Sequence, residues 1–201
     1  MNRIPSQPKS SESTERVSLA GYLLAAKPHV QDPLFAQSVC LIVEQSEQGT
    51  VGVMLNRRML VDPKPMLDAL LEGHEATEGG DAHFNFGGPV NGPILAIHND
   101  SSLAEGGNDH GVYLSAQVET LKKLAVIAPE HLRWVIGHAT WQPAELEKQI
   151  VAGDWMVIPA HPQIVFSEES LMWPHATEWY GRSIAANFPG VMLYPASPQL
   201  N

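Results

Sequence analysis

Apolar residues along the chain come in short runs whose rhythm changes several times, and the changes divide the sequence into elements. Leu19 to Ala26 is almost wholly apolar and stops at Lys27-Pro28, which predicts a buried strand. Two further runs, Ser38 to Glu44 and Thr50 to Leu55, flank the polar stretch Gln45-Ser46-Glu47-Gln48-Gly49 and predict a hairpin. Met66, Leu67, Leu70 and Leu71 then repeat at helical spacing behind Pro65, with Gly73 placed to close the helix. His74 to Ala82 is acidic and glycine-containing, and is expected to be an exposed loop. Strands are predicted around His83 to Phe86, Ile94 to His98 and Gly111 to Leu114, with a polar loop from Asp100 to His110.

Ser115 stands where it could cap a helix whose apolar positions Val118, Leu121, Ala125 and Ala128 run to Pro129. A strand over Leu132 to Ile136, a helix over Pro143 to Ala152 and a strand over Trp155 to Ile158 follow. Ser167-Glu168-Glu169 opens a last helical region, which Pro174 is expected to interrupt and Asn187-Phe188-Pro189-Gly190 to end. Hairpins mixed with irregularly placed helices do not give a βαβ rhythm, so the expected class is α+β in a single domain over residues 17–190. Residues 1–16 are polar with little to bury, which reads as a disordered tail, and 191–201 form a Pro-rich C-terminal tail.

Composition narrows the function classes. Hydrophobic residues make up 44% of 201 positions, enough for a core that needs no staple. The single cysteine, Cys40, lies within Val39-Cys40-Leu41-Ile42-Val43, where it reads as a small buried hydrophobe. No apolar run reaches the ~18 residues of a membrane span. The N-terminus also lacks the apolar stretch of a secretory signal, so a cytoplasmic location is expected. The net charge is −10, from 22 acidic and 12 basic residues. The only adjacent basic pairs are Arg57–Arg58 and Lys122–Lys123, and clustered Lys and Arg are what a nucleic-acid binder needs. Direct nucleic-acid binding is therefore not expected.

The candidate chemistry is sparse. His74-Glu75-Ala76-Thr77-Glu78 lacks the second histidine of a zinc-protease helix, and the nine histidines show no metal-ligand spacing. No Gly-x-Ser-x-Gly elbow occurs. Neither a catalytic residue, a metal nor a cofactor is therefore expected. Gly87-Gly88-Pro89 lacks the following lysine and helix of a phosphate loop, and with Asn91-Gly92-Pro93 behind it reads as one tight turn followed by another. Asn56-Arg57 closes a strand; Asn56 suits a turn, and Arg57 could pair a carboxylate of the fold or an anionic ligand. If Pro143 takes the first helical position, Gln142 is the cap and Trp141 can staple onto Leu146, with Gly153 as a left-handed stop. Trp141 then serves folding or contacts a ligand.

Several of these segments together resemble the AlgH/YqgE family. The resemblance rests on Gly21-Tyr22-Leu23-Leu24-Ala25 with Pro28, Asp32, Phe35 and Val39, and on Gly52-Val53-Met54-Leu55-Asn56-Arg57. Gly87-Gly88-Pro89-Val90 and the block Gly137, Trp141, Pro143, Leu146, Glu147, Gly153, Trp155 complete it, so that it spans Leu19 to Tyr180. Thr140 and Glu145 depart from the family's usual Gly and Gln. The resemblance implies a large mixed, mostly antiparallel sheet packed by several helices, and the family carries the label of transcriptional regulator. Three functions follow as expectations. The first is a non-enzymatic interaction module that binds a protein partner or a small ligand through Asn56, Arg57, Gly88 and Trp141. The second is an enzyme assembling Asn56, Arg57, His98 and His138. The third is a transcriptional regulator acting through a partner rather than on DNA.

Overall fold

The computed structural model describes residues 18–60, 64–71 and 84–187. The predicted tails, the loop His74 to Ala82, Gly73 and the stop at Phe188 to Gly190 lie outside the described residues. The strands are β1 (Tyr22–Ala26), β2 (Val39–Ser46), β3 (Gly49–Met54), β4 (Phe84–Phe86), β5 (Val90–His98), β6 (Gly106–Gly107), β7 (Tyr113–Ser115), β8 (Leu132–Trp141) and β9 (Trp155–Pro159). The helices are α1 (Lys64–Leu71), α2 (Val118–Ile127), α3 (Glu145–Ala152), α4 (Pro162–Val165) and α5 (Glu169–Asn187). One sheet runs in the order β6-β7-β5-β8-β3-β2-β1-β9, and β4 also pairs with β8. That pairing is parallel and the rest are antiparallel, which gives the expected α+β class with a mixed, mostly antiparallel sheet.

β1 and β2 read as unbroken apolar runs because both of their faces are covered. Leu23, Ala25, Val39 and Leu41 face a core shared with Ile164 and Val165 of α4 and Met172 and Ala176 of α5. Leu24, Ala26, Cys40 and Ile42 face the opposite core, closed by Trp141, Leu146 and Trp155. A third core lies under α1 and α2, where Leu71, Leu121 and Leu124 meet Phe84, Ala96 and Trp134. Leu121, Leu124 and Ala125 recur at helical spacing, so α2 buries one stripe.

Four local expectations are corrected. Ser115 does not cap α2: it belongs to β7 and donates its hydroxyl to the Leu103 carbonyl at 2.6 Å. The Glu105 carboxylate instead holds the chain just before α2, accepting from Ala116 N at 2.8 Å and Gln117 N at 3.0 Å. Pro143 does not open α3, because β8 continues to Trp141 and pairs it with Thr50; Ala144 then turns left-handed (φ 63°) before the helix starts at Glu145. Asn91-Gly92-Pro93 is not a second turn but part of β5, where the register with β8 jumps from Val90 to Ile94. Pro174 does not interrupt α5. Met172 and Ala176, fully buried on either side of it, hold the helix against the sheet and outweigh the one lost backbone bond.

The sheet turns at Gly137. Strand alternation would put Val135, Ala139 and Trp141 on one face, yet Val135 faces the α5 core and the other two face the α3 core. Gly137 takes a left-handed conformation (φ 76°) in the middle of β8 and makes the switch. At that point Gly87-Gly88-Pro89 crosses β8, carrying the chain from β4 on one side to β5 on the other. A side chain on Gly87 or Gly88 would collide with the backbone of Gly137 or His138, and one on Gly137 with the Gly88 carbonyl. The glycine pair is thus a crossover rather than the simple tight turn its sequence suggests.

Candidate functional site

The crossover fuses three strand ends into one rigid corner. Met54 N donates to Gly87 O at 2.8 Å, Phe86 N to Arg57 O at 2.6 Å and Gly87 N to Ile136 O at 2.7 Å. Asn56, Arg57, Gly88 and His138 therefore lie around one junction of β3, β4, β5 and β8. Asn56 holds the turn before β2 with both ends of its amide: Oδ1 accepts from Val39 N at 2.9 Å, and Nδ2 donates to Gln37 O at 2.8 Å. Gln37 sits there in the left-handed region (φ 55°), a conformation that a non-glycine residue keeps only when neighbours enforce it. Arg57 reinforces the same turn, donating to Ala36 O at 2.5 Å and to Asn56 O at 3.3 Å. Its half-buried fork points at backbone carbonyls of the fold.

Past Gly88 the chain emerges. Pro89 to Pro93 is exposed throughout, with Val90 39% accessible, and Val90 pairs with His138 across β8. β7 covers the outer edge of β5 only along Ala96 to His98, so among the described residues the Val90–Pro93 edge has no ladder partner. His138 packs its imidazole against Gly92, where an added Cβ would lie 2.7 Å from Nδ1.

Trp141 stands apart from this surface. It is 3% exposed and belongs to the core that includes Leu146, so the contact expected of a staple exists although the helix begins two residues late. Its indole Nε1 donates to Gln149 Oε1 at 3.1 Å, and Trp155 Nε1 donates to the same oxygen at 2.9 Å. Phe35 closes the group, with ring centroids 6.0 Å and 5.6 Å from the two tryptophans. Gly153 takes the left-handed stop expected of it (φ 87°).

His98 and His138 are not brought together. They lie at opposite ends of β5's pairing with β8, roughly 20 Å or more apart at strand rise. His98 is fully buried beside Ser115, with Nε2 3.0 Å from its hydroxyl oxygen. The pair has the composition of a nucleophile and base but the opposite polarity. Asp100 N donates to His98 Nδ1 at 3.3 Å, which fixes the proton on Nε2, and that proton is donated to Ser115 Oγ. Ser115 in turn donates to Leu103 O, so the histidine supplies a proton and takes none. Burial pushes the His98 imidazole below its ordinary ionisation range, against the pull of Asp100 and Glu105. The other candidate nucleophile, Cys40, is fully buried, and its thiol is pushed up to about 12 by that burial. Among the described residues no group of three His, Cys, Asp or Glu converges as metal ligands.

A well-connected polar cluster among the described residues lies outside every sequence motif. Arg133 of β8, 8% exposed, donates to Val165 O at 2.6 Å, to Ser167 O and to Glu169 Oε1 at 3.1 Å. Asn85 of β4 donates to the same Glu169 oxygen at 3.3 Å. A lone arginine inside the apolar run Leu132 to Ile136 was the one available signal, since a buried guanidinium must find partners. Trp173 adds a bond from Nε1 to Ala26 O at 2.7 Å, tying α5 to β1.

A family model described as AlgH-like matches residues 23–185. A UPF0301 protein of Streptomyces avermitilis is 31% identical over 200 residues, covering 95% of this chain and all of its own. One from Burkholderia mallei is 28% identical over 166 residues, covering 78% of this chain and 84% of its own. Among solved structures, the solution structure of the AlgH protein from Pseudomonas aeruginosa superposes with a TM-score of 0.62 at 26% identity, over 94% of each chain. The crystal structure of a Corynebacterium diphtheriae protein gives 0.60 at 26% identity, over 89% of this chain and 90% of that one. No helix among the described residues is long and apolar enough to cross a membrane.

Proposed function

The chain belongs to the AlgH-like family, and from that premise we propose that it is a recognition module that binds a protein partner without turnover. The surface assigned to that role is the corner of Asn56, Arg57 and Gly88 extended along Pro89 to Pro93. One observation carries the reading: among the described residues, an exposed strand edge without a ladder partner projects from a corner whose backbone is locked by three strand-to-strand bonds. An open edge on a rigid scaffold accepts an extended peptide by main-chain hydrogen bonding, with side chains such as Val90 selecting the sequence. Arg57 and Asn56 keep the corner in shape. The inverted polarity of the His98–Ser115 pair and the sealed thiol of Cys40 support binding over catalysis. The acidic balance of the chain supports a protein over duplex DNA as the partner.

A photo-reactive residue placed at Val90 in living cells tests this. A discrete protein adduct is expected from Val90, and none from Val151 on α3, which is 88% exposed and equally apolar. An adduct from Val151 alone, or turnover of a bound small molecule, would overturn the reading.

A further inference from the structure

We infer that Asn91 is a site of spontaneous self-modification, converting in the folded protein to aspartate and isoaspartate with the His138 imidazole as local proton acceptor. Asn91 is exposed, and among the described asparagines it alone precedes a glycine. The register jump between Val90 and Ile94 leaves Asn91, Gly92 and Pro93 without partners in the β8 ladder, so the backbone nitrogen of Gly92 is not held by that strand. Gly92 has no Cβ to obstruct approach and bends more freely than any other residue. The edge of the His138 ring lies directly against it, with Nδ1 and Cε1 2.7 Å and 3.2 Å from where a Cβ would stand.

The other described asparagines lack this combination. Asn56 has both amide atoms engaged, Asn85 is fully buried, and Asn108 donates its amide to Ala160 O at 2.7 Å. Asn99 is exposed but precedes Asp100, whose backbone nitrogen is already engaged with His98 Nδ1 at 3.3 Å.

The chemistry closes without any oxidant or reductant. The Gly92 nitrogen gives its proton to the imidazole and forms a bond to Asn91 Cγ. The bond from Cγ to Nδ2 breaks, and Nδ2 leaves as ammonia carrying the proton returned from the ring. One water then opens the cyclic imide. Attack at one carbonyl gives aspartate; attack at the other gives isoaspartate, with an extra methylene in the main chain. Either product places a new negative charge on the Pro89–Pro93 segment. The inference does not depend on what that segment recognises.

The full-length folded protein, held at neutral pH and sampled over days, is digested and read by mass spectrometry with isoaspartyl methylation as the second readout. The expected result is an amide-to-acid mass shift at Asn91, ahead of Asn99 and Asn108, with methylation appearing in step. Asn91→Gln should abolish both signals. His138→Phe, which keeps a ring against Gly92, should slow conversion about tenfold, below the full contribution of an ideally placed base. An intact Asn91 amide in the folded protein, while a synthetic peptide spanning Gly88 to Leu95 converts, would overturn the site. Conversion at the wild-type rate in His138→Phe would overturn the role of the imidazole.

Discussion

The central sheet docks helices on both faces, and the two faces do it by different chemistry. On one, α3 is held by apolar packing and neutral hydrogen bonds: Trp141, Trp155 and Leu146 in the core, with one Gln149 oxygen receiving both indole protons. On the other, α4 and α5 are clamped by a buried charge: Arg133 grips the carbonyls of Val165 and Ser167 and the Glu169 carboxylate, and Asn85 braces the same oxygen. A neutral clamp degrades gradually as pieces are removed. A charged one fails more sharply, because removing one partner takes from the other the bonds that offset its burial.

That contrast can be broken at the charged face first. Arg133→Met should cost about 4 kcal/mol, read by urea denaturation, because it strips the guanidinium from the Glu169 carboxylate and from two carbonyls at once. Adding Glu169→Gln should restore part of that loss. If the second change instead costs as much as it does alone, the two side chains are independent and the clamp is not a unit. On the neutral face, Trp141→Ala should cost about 3 kcal/mol, mostly through the cavity it leaves. A melting temperature indistinguishable from wild type would return Trp141 to the list of binding candidates. Gln149→Leu should cost less, about 2 kcal/mol, by leaving two indole donors unpaired.

The two faces also differ in how readily the sequence discloses them. Trp141, Leu146, Gly153 and Trp155 lie within one short stretch, and local rules for staples and helix stops apply to them directly. Even so, local rules start α3 two residues early, because pairing with Thr50 extends β8 and no local pattern encodes that. The Arg133 clamp draws on β4, β8, the end of α4 and the start of α5, so only the sheet's topology brings its members together. The same holds for Glu105, which fixes the entry to α2 across a loop, and for Gly137, whose left-handed turn matters because Gly88 crosses it. Asn56, Arg57 and Gly88 were legible as strand ends and turns. That they meet at one junction was not, since the crossover that joins them depends on a strand made much later in the chain.

The smallest expected effect removes an ambiguity from the comparison. The Arg133 guanidinium stays charged on acidification. His98 is different: burial lowers its folded ionisation below that of the unfolded chain. Its contribution is complete above about pH 6.5, the ordinary imidazole value, and is lost as pH falls through the lower folded value. Thermal midpoints should therefore decline on acidification below about pH 6.5, and His98→Asn should flatten that slope. An unchanged slope in His98→Asn would place the acid sensitivity elsewhere in the fold.

The crossover at Gly137 also has a consequence for how the chain reaches its native state. β4 and β5 are neighbours in sequence but flank β8, which leaves the ribosome after both of them. Their connection is only Gly87-Gly88-Pro89, too short to fold back once the gap has closed on the wrong partner. The gap must stay open until β8 is inserted beneath the connection, and that one insertion also joins the β5–β7 half of the sheet to β3. Distant pairing of this kind makes for slow folding with an exposed intermediate. Refolding should accordingly show one rate-limiting phase shared by probes in both halves, and Gly88→Ala, which obstructs the insertion point, should slow that phase more than any change confined to α3 or α5.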